Sequence, residues 1–344
     1  MTDHSRTLAL WLWSVVGMIF AMAIIGAITR LTESGLSMVE WRPLIGTLPP
    51  LTADEWQRVF DLYRVTPEYI HKNAGMTLDE FKLIFFWEWF HRLWGRLIGL
   101  VYAVPLLIFW VRGMIPAGWK PKLIGLLILG GAQGVMGYVM VLSGLVDEPA
   151  VSHYRLAAHL SLAILCMCVS LWFALDLGRR AQATNAPAAA GRWVTGFIIL
   201  LSVTIIWGAF VAGLDAGKHY NEWPMMDGHF FPSAGLSMIP AWLNPIENIA
   251  TVQFIHRWIA GVTLVAALAL KITAIKQGWT GFARSMALAV GGMALVQFAL
   301  GIVTLLSAVA IPLGAAHQGG ALILIGFAIA LRWSLARSHS MQLE

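Results

Sequence analysis

Charge is scarce in this chain of 344 residues: Asp, Glu, Lys and Arg make up 12% of it, against 58% hydrophobic residues. Soluble domains carry about 25% charged residues, so the composition excludes an ordinary soluble protein and indicates a bilayer environment. Cysteine is scarcer still. Cys166 and Cys168 lie two positions apart on one predicted helix, where their side chains point in different directions. This spacing argues against a disulfide between them and favours core packing.

Motifs of several enzyme classes are also missing. No His-Glu-x-x-His zinc motif, phosphate-cradling glycine loop, nucleotide fingerprint or serine-centred nucleophile motif stands out. Glu88 and His91 form the Glu-x-x-His element of carboxylate di-iron bundles, but such a centre needs a second copy and further carboxylates. The matching stretch later in the chain offers Gln253 before His256. Gln is a poor substitute for a bridging carboxylate, so a di-iron centre is disfavoured.

The apolar residues gather in eight runs long enough to cross a bilayer, because a spanning helix needs about 20 mostly apolar residues. The runs are 8–29, 81–110, 121–143, 153–177, 193–213, 249–270, 284–306 and 312–333. We therefore predict an all-α integral membrane protein with eight transmembrane helices.

Basic residues gather in alternate connections between these spans, which predicts that those connections face the cytoplasm. They are Arg112, Lys120, Lys122, Arg179, Arg180, Arg192, Lys271, Lys276 and Arg284. Arg332 and Arg337 place the C-terminus on the same side, and an even number of spans then places the N-terminus there too. The net charge of +5 therefore reflects topology and not a nucleic-acid partner. No cleavable signal or transit peptide is evident, so the first span is expected to act as its own insertion signal.

The chain repeats itself, with four spans in each copy. Segments of the first half return in the second: Gln133, Gly137 and Ser143 as Gln297, Gly301 and Ser307; Trp41 to Gly46 as Trp223 to Gly228; and His91-Arg92 as His256-Arg257. We predict two pseudo-twofold-related four-helix bundles, an N-terminal one in residues 1–180 and a C-terminal one in residues 193–344. An alanine-rich linker at 181–192 joins them.

Two outward connections are long. The first contains an amphipathic segment that opens with a capping box at Thr52 and Glu55, and a second box at Thr77 and Glu80 marks the start of span 2. The amphipathic segment is predicted to lie on the membrane surface or over the bundle. The second connection, 214–248, is interpreted as an ordered loop.

Four histidines fall near the outward starts of spans 2, 4, 6 and 8: His91, His159, His256 and His317. Equivalent placement in one membrane leaflet predicts two ligand pairs, one in each half. A small residue follows each histidine by four positions: Gly95, Ala163, Ala260 and Ala321. Haem held by two axial histidines from facing helices fits this set, because a flat macrocycle needs an unobstructed helix face. Histidines that bond water or backbone at the interface, with their placement preserved by duplication alone, are the alternative.

One difference separates the halves: Glu88 stands where the second half has Gln253. A carboxylate one turn from a ligand histidine in or near the hydrocarbon is a functional candidate, and the alternative is a salt bridge with Arg92 or Arg96. Arg92 and Arg257 each follow a histidine, where they either pair with haem propionates or anchor the interface. The residues thus leave open an oxidising enzyme, a non-enzymatic b-type cytochrome, and a transporter built from repeats.

Several segments together resemble the haem A synthase family of bacterial plasma membranes and mitochondria: 29–37, 41–43, 86–92, 253–257 and 316–318. The likeness runs from the first span to the last. It implies a membrane oxidoreductase that serves cytochrome oxidase assembly. Such an enzyme oxidises the C8 methyl of haem O to a formyl group in two successive steps, through an alcohol and a hydrated aldehyde, giving haem A.

The resemblance also implies roles for individual residues. His91 and His159 match the histidines of the substrate-haem site, Glu88 matches the functional glutamate beside it, and His256 and His317 match the axial ligands of a bound haem b that carries electrons. Haem O synthase, an electron-transfer partner and homo-oligomers are the implied partners, and a bacterial inner membrane is the implied location. Cysteine pairs found in the outward loops of some branches are missing here, so thiol-dependent electron delivery is not expected.

Overall fold

The computed structural model describes residues 3–40, 45–144, 151–178 and 182–341. Residues 41–44 of the repeated segment Trp41 to Gly46, and the basic pair Arg179 and Arg180, lie outside these ranges. Within them the chain forms eleven α-helices. These are α1 (Asp3–Leu31), α2 (Ala53–Arg64), α3 (Pro67–Lys72), α4 (Leu78–Val111), α5 (Lys120–Gly144), α6 (His153–Gly178), α7 (Ala190–Gly213), α8 (Asn244–Glu247), α9 (Ile249–Lys276), α10 (Gly281–Leu306) and α11 (Ile311–Met341).

Eight of these helices are long and apolar enough to cross a membrane, and each contains one of the predicted runs. The prediction of an all-α protein with eight spans is therefore confirmed. The helices extend further than hydropathy indicates. Helix α9 continues to Lys276 and α11 to Met341. Hydropathy detects only the apolar part of a helix, whereas the helical backbone continues into the polar residues at its ends.

The eight long helices form two sets of four, and each set closes into a ring. Neighbours in the first ring are α1, α4, α5 and α6, and neighbours in the second are α7, α9, α10 and α11. The rings meet through α1, α6, α7 and α11. Their shared core includes the fully buried side chains of Leu8, Leu12, Leu324 and Leu331. This arrangement is consistent with the predicted pair of four-helix bundles.

One end of the molecule carries both long connections, and we call it the cap end. Helices α1 and α7 finish there, and α4 and α9 begin there. Helix α2 packs Phe60 and Tyr63 against Phe81 and Phe85 of α4, which explains why this segment is amphipathic. Thr77 and Glu80 form the predicted capping box in full. The amphipathic segment therefore lies over the first turns of α4.

The connection between α7 and α9 is ordered, as predicted, and the side chain of Asn248 fixes its end. The carbonyl oxygen of this side chain accepts hydrogen bonds from the backbone amides of Ala250 (3.0 Å) and Thr251 (3.2 Å), which caps α9. Its amide donates to the carbonyl of Ala234 at 2.8 Å. One residue thus fixes the loop to the helix that carries His256.

Candidate functional site

The four predicted histidines lie on α4, α6, α9 and α11, which all begin at the cap end because successive long helices run antiparallel. Three of them fall within about the first two turns, while His91 lies about three and a half turns into α4. The difference arises because α4 starts earlier, under α2. Within each ring the two histidines lie on helices that are not neighbours and therefore stand diagonally across the ring, His91 and His159 on α4 and α6, and His256 and His317 on α9 and α11.

Each imidazole rests against a glycine of the preceding long helix. A Cβ added to Gly26 would lie 3.1 Å from Cε1 of His91, and one added to Gly137 would lie 3.3 Å from Cε1 of His159. In the second ring the corresponding distances are 2.9 Å for Gly208 to His256 and 2.9 Å for Gly301 to His317. Real Cβ atoms almost never approach closer than 3.0 Å. Glycine at these four positions therefore makes room for the rings.

Sequence reasoning identified Gly137 and Gly301 as part of the repeat but gave them no role, and it missed Gly26 and Gly208. A signal was available. Gly26-Ala27 in α1 and Gly208-Ala209 in α7 are the same dipeptide at corresponding places in the two halves. A glycine in an apolar helix interior costs helix stability, so its repetition indicates a close approach.

Two of the four histidines, His159 and His317, are each contacted by a glutamine of the preceding long helix. The side-chain amide of Gln133 lies 3.3 Å from Nε2 of His159. The amide of Gln297 lies 3.1 Å from Nδ1 of His317 and donates to the carbonyl oxygen of the same residue at 2.9 Å. Both ligand candidates of α6 and α11 are therefore oriented by a side chain.

The donor set suits a haem better than a bare metal ion. Among the described residues no three His, Cys, Asp or Glu side chains gather as a metal site, whereas a porphyrin supplies the equatorial nitrogens and needs only axial protein ligands. The buried Nδ1 atoms of His91 and His159 have no hydrogen-bond partner among the residues that the structure describes. In each ring, two histidines on diagonally placed helices, with glycines that clear the edges of their imidazoles, fit axial ligation.

Glu88 is buried beside the first pair, with 3% of its surface exposed. One carboxylate oxygen accepts hydrogen bonds from the hydroxyl of Ser37 and the backbone amide of Met38, both at 2.7 Å. The other oxygen pairs with the guanidinium of Arg92. The salt bridge considered from sequence therefore forms with Arg92. The contacts from the 37–38 turn could not be read from a helical pattern, because one of the donors is a backbone amide.

Gln253 occupies the corresponding place in the second ring with the opposite hydrogen-bond polarity. Its amide donates to the carbonyl of Ala216 at 2.9 Å, and its side-chain oxygen accepts from Arg257 at 3.0 Å. Arg257 also donates to the carbonyl of Tyr220 at 2.6 Å, as Arg92 donates to the carbonyl of Met38 at 3.1 Å. In both rings, therefore, an arginine binds the side chain four residues before it and a backbone carbonyl of the cap-end connection. The rings differ in that this side chain is a carboxylate only in the first ring.

Arg257 holds the cap-end connection as well. Its Nη1 atom donates to the carbonyls of Glu222 (2.9 Å) and Met225 (3.0 Å), and its guanidinium lies over the ring of Trp223. Pairing of this arginine and of Arg92 with haem propionates stays a prediction. What the structure adds is that each arginine fastens the loop that follows the preceding helix.

Eight apolar helices in two four-helix rings, each ring with two histidines, define a multi-pass membrane protein. Comparison with known proteins identifies which one. Residues 9–329 match the model of a family described as cytochrome oxidase assembly protein. Three of the most similar relatives are named haem A synthase.

The relative from Rhodospirillum centenum is 50% identical over 96% of this chain and 88% of its own. The relative from Beijerinckia indica is 45% identical over 97% and 94%, and that from Maricaulis maris is 43% identical over 98% and 98%. The chain belongs to the haem A synthase family, as its motifs predicted.

Proposed function

We propose that this protein is a haem A synthase that oxidises the C8 methyl group of haem O to a formyl group. Each of two successive steps would insert one oxygen atom, from an oxygen-donating oxidant admitted to the first ring, into a C–H bond of the methyl group, giving first an alcohol and then a hydrated aldehyde that loses water. The first ring would hold haem O on His91 and His159, and the second would hold a haem b on His256 and His317. The observation that carries the proposal is a single difference between two otherwise matching sites. The first has the carboxylate of Glu88, and the second has the amide of Gln253 in the corresponding place.

Glu88 is the group that would manage protons at the substrate. Two hydrogen-bond donors from the 37–38 turn and the charge of Arg92 hold its carboxylate in one orientation. A buried carboxylate with fixed partners can accept and return a proton at a defined place, which suits a role in moving protons at the substrate. Gln253 cannot titrate, so the second ring is suited to a resident electron carrier.

The packing of the first ring supports entry of haem O from the lipid. Helix α5 packs well on α6 and only sparsely on α4, whereas α10 packs extensively on both α9 and α11. A substrate must enter and leave its site, while a resident haem must stay. The looser α4–α5 seam lies in the ring that also carries Glu88.

The membrane topology follows from the basic residues. Lys120, Arg192, Lys276 and Arg284 lie near helix ends opposite the cap end. Cytoplasmic placement of those ends in a bacterial inner membrane would put both termini in the cytoplasm and the haem sites in the outward leaflet. Haem O synthase, a separate electron-transfer partner and a second copy of the chain are the partners we propose.

Haem extraction from the purified protein tests this function. We expect haem O and haem A beside haem b in the wild type. Replacing Glu88 by Ala or Gln should leave haem b in place and stop formation of the aldehyde, so that haem O accumulates. Gln253→Ala is the matched control and should still yield haem A. Normal haem A from the Glu88 variants would refute the catalytic assignment, and haem b alone in the wild type would indicate a b-type cytochrome.

A further inference from the structure

The two glutamines hold their histidines by different nitrogen atoms. Gln133 on α5 contacts Nε2 of His159, whereas Gln297 on α10 contacts Nδ1 of His317 and also binds the carbonyl of that residue. The glutamines are corresponding members of the repeat, and each reaches the histidine of the next helix. The difference is therefore one of geometry between two otherwise matched contacts.

The choice of nitrogen matters because an imidazole that binds a metal through one nitrogen uses the other for an orienting hydrogen bond. Gln297 occupies Nδ1 of His317 and leaves Nε2 available, which is the arrangement of a permanently held ligand. His256 is held in the same way, since its Nδ1 lies 3.1 Å from the carbonyl of Thr204. Both histidines of the second ring thus have Nδ1 engaged.

At His159 of the first ring the contacts are reversed. The Nδ1 atoms of His91 and His159 are buried and have no hydrogen-bond partner in the described part of the chain. Nε2 of His159 is the atom within reach of Gln133, at 3.3 Å. A porphyrin iron reaches Nε2 more easily than Nδ1, because Nδ1 adjoins the ring carbon that carries the side-chain stem. One nitrogen lone pair cannot serve an amide donor and an iron atom at once, so Gln133 is placed to compete for His159.

We propose that Gln133 makes His159 an exchangeable ligand by binding the nitrogen that iron would otherwise take, while Gln297 locks His317 as a permanent one. The inference rests on the proposed function, in which the first ring must accept a substrate haem and admit an oxidant. The sparse packing between α5 and α4 leaves the helix that carries Gln133 fewer constraints than α10 has. Gln133 acts here as a positioning residue, through His159.

Carbon monoxide binding to the reduced, haem-loaded enzyme tests the proposal, because only a haem with an open axial position binds this ligand. Gln133→Met keeps the length of the side chain and removes its amide. We expect that variant to bind carbon monoxide at a several-fold smaller fraction of its haem than wild type. In Gln133→Glu the carboxylate accepts a hydrogen bond from a protonated Nε2 and so also withholds that nitrogen from iron, which should restore the wild-type fraction. Gln297→Met should change the fraction in the opposite direction and raise it.

The opposite changes expected in Gln133→Met and Gln297→Met distinguish the proposal from a simple loss of structure. A loss of structure would free an axial position on both haems and raise the carbon monoxide fraction in both variants. A carbon monoxide fraction that rises or stays constant in Gln133→Met would overturn the assignment. Should that variant lose its haem, Gln133→Asn, whose shorter side chain withdraws the amide, serves as the second test with the same two outcomes. An extracted pigment without haem O and haem A would refute the proposed function. The carbon monoxide fractions of wild type and the Gln133 variants would still decide whether His159 is an exchangeable ligand.

Discussion

Arg30 of α1 donates a hydrogen bond to the backbone of Ala212, the residue at the corresponding position in the second half. Its guanidinium donates to the carbonyl oxygen of Ala212, at the end of α7, at 2.8 Å. Arg30 follows Gly26 by four residues, and Ala212 follows Gly208 by four residues. These are the two glycines that rest against His91 and His256. The two halves are therefore joined one turn away from each site.

The same arginine belongs to a small ionic cluster at this junction. Asp215 accepts from Arg30 at 3.0 Å and pairs with Lys218 at 3.2 Å, and Lys218 also reaches Glu33 at 3.1 Å. Burial acts to raise the pKa of Asp215, but the charges of Arg30 and Lys218 outweigh it and hold that pKa below its usual value. Glu33 and Asp215 both adopt the left-handed backbone region, with φ of 53° and 52°. The turn after α1 and the turn after α7 thus share a conformation as well as a lysine.

Removing the Arg30 side chain should loosen this junction. Arg30→Ala deletes charged hydrogen bonds to two carbonyls and a carboxylate, and we expect a loss of about 2 kcal/mol in the free energy of unfolding. Arg30→Lys should recover only part of it, because an ammonium lacks the forked geometry. Unfolding in detergent, followed by tryptophan fluorescence, gives the measurement. Arg64→Ala, at an exposed pair with Asp61, is the control and should change stability by less than about 0.5 kcal/mol.

The four glycines beside the histidines predict a graded series. Gly208→Ala and Gly301→Ala place a methyl 2.9 Å from an imidazole carbon and should displace the ring, which reduces low-spin haem several-fold. Gly26→Ala and Gly137→Ala, at 3.1 and 3.3 Å, should have smaller effects. Absorbance spectra of the reduced variants measure this. Gly99→Ala and Gly130→Ala, where nothing lies within 4 Å, are matched controls, and equal losses in them would remove the steric explanation.

A buried carboxyl group in the cap should make its stability depend on pH. Burial raises the pKa of Glu68 from its usual 4.5 to about 7. The hydroxyl of Tyr63, 3.1 Å away, opposes this shift, as does Lys72, while Glu88 and Glu33 add to it. A raised folded-state pKa stabilises the fold below about pH 4.5, and the contribution disappears as pH rises through 7.

Replacing Glu68 by Gln tests that dependence. At about 1.4 kcal/mol per pKa unit, the wild-type cap should lose about 3 kcal/mol between pH 4.5 and 7.5. Glu68→Gln should flatten the profile over this range and should be the more stable form at pH 8. Hydrogen exchange of the amides of α2 and α3 reports on the cap alone. A profile that Glu68→Gln leaves unchanged would assign the pH dependence to another group.

Exchanging the acid and the amide between the rings should be asymmetric. Glu88→Gln keeps an oxygen that can accept from Ser37 and Met38 but leaves the buried guanidinium of Arg92 without its counter-charge, so it should cost about 3–5 kcal/mol of stability. Gln253→Glu places a carboxylate against the carbonyl of Ala216 but beside the guanidinium of Arg257, which offsets part of the repulsion, so it should cost about 1–2 kcal/mol. Unfolding curves of the two variants in the same detergent compare them. A smaller loss in Glu88→Gln than in Gln253→Glu would mean that the ion pair with Arg92 contributes little.

Much of this architecture could be predicted because the bilayer imposes it. Long apolar runs fixed the eight helices, and antiparallel succession then placed His91, His159, His256 and His317 on helices that begin at the same end. The capping residues Thr77 and Glu80 marked the start of α4 correctly. Where prediction fell short, as at α3, the helix is only one and a half turns long and lies in a polar connection.

The parts of the site that escaped prediction are contacts between elements. Gly26 and Gly208 acquire their role only when a neighbouring helix brings an imidazole against them. The hydrogen bond to Glu88 from the Met38 amide involves no side chain of Met38, so residue type gives no sign of it. Asymmetry between Gln133 and Gln297 is likewise invisible in sequence, because both residues occupy the same place in the repeat.

We propose that each ring binds one haem through its own two histidines. Haem content after single replacements measures this most directly. Alanine at His91 or His159 should remove haem O and haem A while haem b stays at wild-type amount, and alanine at His256 or His317 should remove haem b while haem O stays bound. Loss of both pigments from a replacement in one ring, in protein that still folds, would contradict the account.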